Sequence, residues 1–151
     1  MMNKKSIIII VLIIILALLI GFIIYSSQFN QEQISVGEAN FIMPKGYHEG
    51  IPNSLGDNNI TNEKNTIYLT ECKDVSIEKY LENYKRERLK SNQTVSNSNF
   101  LVENTVVYKS TNDMTGASHF WFNKNNKTYS IYTFDDYNID EIVVDLIKNM
   151  N

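Results

Sequence analysis

The stretch from Ala117 to Phe134, ASHFWFNKNNKTYSIYTF, reads as a β-hairpin and decides the fold around it. Two runs rich in aromatic and β-branched residues flank the compact polar turn Asn123-Lys124-Asn125-Asn126-Lys127. Side chains alternate across a strand. Phe120 and Phe122 therefore share one face, Tyr132 and Phe134 share a face, and His119 and Trp121 point away from Phe120 and Phe122. Upstream lie two further strand candidates, Thr94–Phe100 and Leu101–Ser110, which read either as separate strands or as one bent strand. The phrase FLVENTVVY carries apolar residues on both faces, as in a sheet packed on both sides.

Helices bracket this region. From Ser76 to Lys90, Ile77, Tyr80, Leu81, Tyr84 and Arg88 fall at helical spacing, with Asp74 or Ser76 as the cap and Glu82–Arg86 as a favourable ion pair. From Asn138 to Met150, Ile139, Ile142, Val143, Leu146, Ile147 and Met150 form one apolar stripe. Asn138 with Glu141 approximates a capping box there. Towards the N-terminus, Ile34–Met43 reads as a hairpin turning around Gly37–Asn40. His48–Asn65 is a long polar loop, and Asn65–Glu71 is a strand. The order β-β-β-α-β-β-β-β-α gives an α+β domain, a largely antiparallel sheet covered by two helices.

Preceding it, Ile7–Ile24 (IIIIVLIIILALLIGFII) is an unbroken apolar run with Lys4 and Lys5 before it and no basic residue after it until Lys45. About 18 residues at roughly 1.5 Å each match a bilayer's hydrocarbon core, and insertion is favoured by about 5 to 10 kcal/mol. The lysine asymmetry places the N-terminus in the cytoplasm and the remainder outside, with Tyr25 at the outer interface. The run exceeds a cleaved signal peptide's apolar region, so it reads as an uncleaved signal anchor. The expected organisation is a cytoplasmic segment at 1–6, a transmembrane anchor at 7–25, a tether at 26–33 and an extracytoplasmic domain at 34–151.

About 117 residues suffice for one core without disulfides. The single cysteine, Cys72, reads as a small buried apolar residue. The formal charge is −3; setting aside Lys4 and Lys5 leaves the outer part at −5, with no basic stripe, so nucleic acid is not an expected partner. Asparagine is abundant enough for the triplets at Asn59, Asn92 and Asn126 to fit the glycosylation pattern by chance.

The phrase Phe41-Ile42-Met43-Pro44-Lys45-Gly46-Tyr47, with the membrane anchor, central helix, antiparallel strands and closing helix, resembles the PsbP-like domain over Ile34–Asn151. The chain is similar in particular to membrane-anchored PsbP-related proteins of methanogenic archaea. The resemblance implies an α/β/α sandwich and a non-enzymatic role, and no functional residue carries across with it.

Chemistry is sparse. HExxH, paired CxxC, phosphate-loop and EF-hand patterns are absent from the sequence, so neither metal nor cofactor is expected. Asp135-Asp136, near Asp140, is the densest acidic cluster and reads as a strand-to-helix loop favouring the following helix N-terminus. His119 would need a nucleophile such as Ser118 or Ser130, and no motif supplies one. His48 lies beside Glu49 in the long loop. Most tyrosines (Tyr68, Tyr80, Tyr84, Tyr108, Tyr129, Tyr132, Tyr137), with Trp121, read as core residues, a binding surface being the alternative. The expectation is a membrane-tethered binding module that holds lipid through residues 7–25 and meets an envelope protein or glycan. The alternatives are an accessory subunit of a membrane complex and a small hydrolase.

Overall fold

A computed structural model describes the fold of residues 4–29, 31–73 and 76–151, and within the first helix the side chains of residues 10–23. The chain divides into two compact units, Met1–Glu32 and Gln33–Asn151. The first is the helix α1 (Lys4–Phe29). Its described apolar side chains are exposed, Leu18 and Phe22 among them. Among the described residues no helix is long and apolar enough to cross a membrane; the side chains of 10–23 cover only part of the run Ile7–Ile24. The side chains of Lys4, Lys5 and Tyr25 lie outside those described; of the expected tether at 26–33, residues 26–29 continue α1 with their side chains likewise outside, and residue 30 is not described.

The second unit is a mixed α+β domain. It runs β1 (Gln33–Val36), β2 (Ala39–Ile42), β3 (His48–Glu49), β4 (Asn58–Thr61), β5 (Thr66–Cys72), α2 (Ile77–Lys90), β6 (Val95–Val102), β7 (Thr105–Asn112), β8 (Ser118–Lys124), β9 (Lys127–Tyr132) and α3 (Asp140–Lys148). β1 and β2 form a hairpin. The other strands form a seven-stranded antiparallel sheet in the order β3-β4-β5-β9-β8-β7-β6.

The expected hairpin is β8–β9, with Lys124 opposite Lys127. Asn125 and Asn126 stand at φ 53° and 60°, the left-handed pair that two-residue hairpin turns require and asparagine tolerates. The stretch Thr94–Ser110 resolves as two strands. They turn at Glu103-Asn104 rather than between Phe100 and Leu101, and Glu103 takes φ 53°. Glutamate is a poor turn signal, so the sequence pointed to the wrong place. The segment read as a loop over His48–Asn65 contains β3 and β4, with Ile60 opposite Ile67. The β4 residues are polar but satisfied: Asn59 donates its amide to the Ile51 carbonyl and Asn58 to that of Ser35. That is why no apolar alternation marked the strand.

The sheet's two faces are covered unequally. On one, Val107, Phe120, Phe122 and Ile131 meet the α3 stripe and the hairpin residues Ile34, Val36 and Phe41 in one buried cluster. Ile139, Val143, Leu146, Ile147 and Met150 are all buried. At about 1.5–3 kcal/mol for each such side chain, the stripe contributes on the order of 10 kcal/mol. α3 is shorter than expected. Asn138 accepts from the Asp140 N–H at 2.9 Å in a local turn, and the N-cap position falls on Ile139, which has no side-chain acceptor, so the capping box does not form. Lys124 Nζ donates to the Ile147 and Met150 carbonyls at 2.9 and 3.0 Å, satisfying groups the helix end leaves open.

The hairpin β1–β2 is pinned by charge. Glu71 Oε2 accepts from the Glu38 N–H at 3.0 Å, while Lys127 Nζ reaches Glu71 at 3.3 Å and Glu38 at 3.2 Å. Only glycine fits at Gly37 (φ 61°), because a Cβ there would collide with the Glu71 carboxylate.

On the other face, α2 fits loosely. Ser76 accepts from the Lys79 N–H at 3.4 Å as the expected cap, and Asp74 lies outside the described residues. Arg86 bonds Asn83 Oδ1 at 2.6 Å and lies near Glu87, not Glu82. The inner positions are those expected, yet only Ile77 is fully buried; Tyr80, Leu81, Tyr84 and Arg88 are half-buried. A helix with so little apolar inner surface leaves space beneath it.

Candidate functional site: an aromatic pocket beneath α2

That space lies over a ladder of stacked rings. Register sets His119 opposite Tyr132 and Tyr132 opposite Tyr68, while Trp121 sits two residues along β8 from His119. Side chains at such positions stand on one face of the sheet. Trp121 stacks on His119 at 3.9 Å and 8°, His119 on Tyr132 at 4.7 Å, and Tyr132 on Tyr68 at 5.0 Å. Tyr84 of α2 meets His119 and Trp121 edge-on at 5.4 and 5.6 Å. Phe134 meets Tyr68 and Tyr132 edge-on, both at 5.3 Å.

Because the ladder rings cover one another's faces, their C–H edges, which carry the positive end of the ring quadrupole, are left towards the cavity. The pocket measures about 480 Å³, within the usual range for a small-molecule site. Leu55 and Phe134, 82% and 60% exposed, are apolar groups on its lining that also face solvent.

Polar groups are few and fixed. Tyr132 donates its hydroxyl to Asp57 Oδ2 at 2.6 Å, and Asn53 donates its amide to both, at 3.1 and 3.2 Å. Burial and the Asp57 charge push the Tyr132 hydroxyl far above its ordinary value, so it stays protonated and donating. Burial also raises the Cys72 thiol. Cys72 is half-exposed and lines the pocket, where a fully buried residue was expected.

His119 is the exception. Its ring retains some solvent contact, but Nε2 is sealed and has no hydrogen-bond partner. Burial, aided by the Arg88 charge, pushes the imidazole down to about 3, leaving it neutral at physiological pH. No protein-family model, curated protein or solved structure matches this chain.

The other sequence candidates lie apart from this site. Asp135 and Asp136 are exposed in the turn before α3, where the Asp135 N–H donates to Thr133 Oγ1 at 3.1 Å. Asp140 pairs with Lys109 at 2.6 Å on the α3 face, so the acidic cluster is dispersed. Ser118 turns away from His119 and bonds the Gly116 carbonyl at 3.4 Å. Ser130 lines the pocket. His48 is exposed on β3, opposite Thr61. Among the described residues no group of three His, Cys, Asp or Glu could hold a metal.

Of the aromatics, Trp121, Tyr129 and Tyr132 are buried, Tyr68, Tyr80, Tyr84 and Tyr108 half-buried, and Tyr137 exposed. Asn59 is 4% exposed, so its acceptor triplet is closed in the folded domain, whereas Asn92 and Asn126 stand exposed in turns. Asp57 and Asn53 carried no signal in the sequence. Their partner Tyr132 is 75 and 79 residues away, and no short-range pattern marks such a contact.

Proposed function

We propose that this chain is a membrane-tethered, extracytoplasmic binding module whose ligand site is the pocket beneath α2. The run Ile7–Ile24 with Lys4 and Lys5 supports the tether and its orientation. The roomy pocket floored by the Trp121–His119–Tyr132 ladder, with its few and fixed polar groups, carries the binding reading, because small-molecule sites are concave, mostly apolar cavities of this size. A catalytic reading gains nothing from a histidine held neutral far below neutrality and lacking an orienting acid. A helix against each sheet face, α2 on one and the closing helix α3 on the other, supports a PsbP-like α/β/α arrangement as the parent architecture. The apolar cross-strand pair Leu101–Val106, 66% and 43% exposed at the β6–β7 tip, favours a second reading, an accessory subunit docked through that tip.

A thermal-shift screen of small organic molecules and glycans on the full chain tests the site. It runs beside Asn83→Trp, which fills the pocket from the exposed side of α2. A ligand at about 100 times its Kd stabilises by about 2.7 kcal/mol. The parent should shift and the variant should not; equal shifts, or none in the parent, reject the pocket. Protease treatment of intact cells should remove the domain, and a protected domain rejects the tether.

A further inference from the structure

The charges around the pocket are unequally matched. Each carboxylate lining it already has a donor. Asp57 takes the Tyr132 hydroxyl and the Asn53 amide, and Glu71 takes the Glu38 N–H and Lys127. Glu87 takes Lys90 at 2.7 Å and lies 3.9 Å from Arg86.

The cations are different. Lys73 and Arg88 also line the pocket, and neither makes an ion pair with a carboxylate among the described residues. Arg88 is half-buried and lies over the Tyr84 ring at 4.8 Å, the same ring that meets His119 edge-on. A guanidinium held in place by an aromatic face presents its fork to an oxyanion at little further cost in entropy. The remaining surface is apolar or made of ring edges, whose positive rims attract electronegative atoms and π-faces.

We infer that the pocket binds an organic carboxylate with an apolar aromatic or short aliphatic body. Its oxyanion is held by Arg88, and its body lies against the Trp121–His119–Tyr132 ladder. The inference rests on the pocket being a ligand site, and adds which chemistry enters it. Arg88 supplies the charge-assisted bond. An amine would meet Arg88 and Lys73 with like charge. An uncharged amide would leave Arg88 unanswered.

Trp121 is the chain's single tryptophan, so its fluorescence reports on this wall of the pocket alone. The purified full chain is titrated with phenylbutyrate, phenylbutyramide and phenylbutylamine, which share one body and differ in head group. The carboxylate should perturb Trp121 saturably and bind at least about 10-fold tighter than the amide, as expected for one charge-assisted bond. The amine should bind weakest. Arg88→Gln should remove the preference for carboxylate over amide without changing circular dichroism, and Arg88→Lys should restore part of it.

If the amide or amine matches the carboxylate, the ligand class is wrong and the pocket stands. A carboxylate preference that survives Arg88→Gln removes Arg88 from the site and overturns the inference. If no probe perturbs Trp121, the inference falls, and the thermal-shift screen decides the pocket separately.

Discussion

Replacing His119 with phenylalanine should stabilise the domain, and the gain should grow in acid. The phenyl ring keeps the stack between Trp121 and Tyr132, at 3.9 and 4.7 Å in the parent, and removes the sealed Nε2 that has no partner. An unsatisfied buried polar atom costs about 1–3 kcal/mol, so a gain of about 1–2 kcal/mol is expected at neutral pH. Acid adds a second contribution. The imidazole sits at about 3 when folded, against 6.5 for the ordinary side chain. As pH falls below that ordinary value, the unfolded chain binds a proton that the folded one refuses, and stability is lost until pH reaches the folded value. The loss is at most about 1.4 kcal/mol per pH unit, or about 2 kcal/mol by pH 5. His119→Phe removes it, so its lead over the parent should widen from about 1–2 kcal/mol at pH 7 to about 3–4 at pH 5. Urea denaturation of both full chains, followed by Trp121 fluorescence, measures this. Groups common to both proteins cancel in the difference. A variant less stable than the parent at pH 7, or a lead that stays constant with pH, refutes the reasoning.

Tyr132→Phe keeps the ring stack but deletes the 2.6 Å bond to Asp57. Hydrogen bonds to charged groups contribute about 1.5–3 kcal/mol, so a loss near 2 kcal/mol is expected, with faster proteolysis within Asn53–Asp57; a loss below about 0.5 kcal/mol counts against the network. The Glu38 N–H bond and Lys127 hold the Glu71 carboxyl below its ordinary value. Its contribution is therefore present above the ordinary carboxylate range and lost as pH falls through the lowered folded value. Glu71→Gln should speed hydrogen exchange at the Glu38 amide at pH 7 and match the parent in strong acid; equal exchange at pH 7 refutes the tie. Asn126 at φ 60° should tolerate glycine, whereas alanine should cost about 1 kcal/mol by urea midpoint, because the left-handed region penalises a Cβ that cannot hydrogen-bond locally. Equal midpoints for the two variants contradict the turn geometry.

Much of the architecture was legible because apolar periodicity reports burial directly. The stripe from Ile139 to Met150 is buried as spaced except at Ile142, which is half-buried, and the alternation of β8 sends Phe120 and Phe122 towards α3 and Trp121 towards α2. The inner face of α2, Arg88 included, was readable in the same way. What escaped depends on contacts that no local pattern encodes. β4 is held by Asn58 and Asn59 bonding distant backbone. The β6–β7 turn uses Glu103 in a conformation its side chain does not advertise. The site was visible only as ingredients. Trp121, His119 and Tyr132 stood in the sequence, but their stacking needs the β8–β9 register, and the pocket needs a helix too sparsely apolar to close it.

The backbone of Asn151 exchanges two hydrogen bonds with that of Asn40, at 2.9 and 3.0 Å, beside the packing of Ile34 and Phe41 into the α3 cluster. Synthesis runs from the N-terminus, so the hairpin that leaves the ribosome before every other strand waits longest for this tie. Ile34 and Phe41 share their cluster with Ile60, Ile67 and Leu69, made soon after them, and with the Tyr129 ring, 5.9 Å from Phe41 and made much later. The hairpin's cover is therefore drawn from early and late parts of the chain alike, from β4 and β5 as well as from α3.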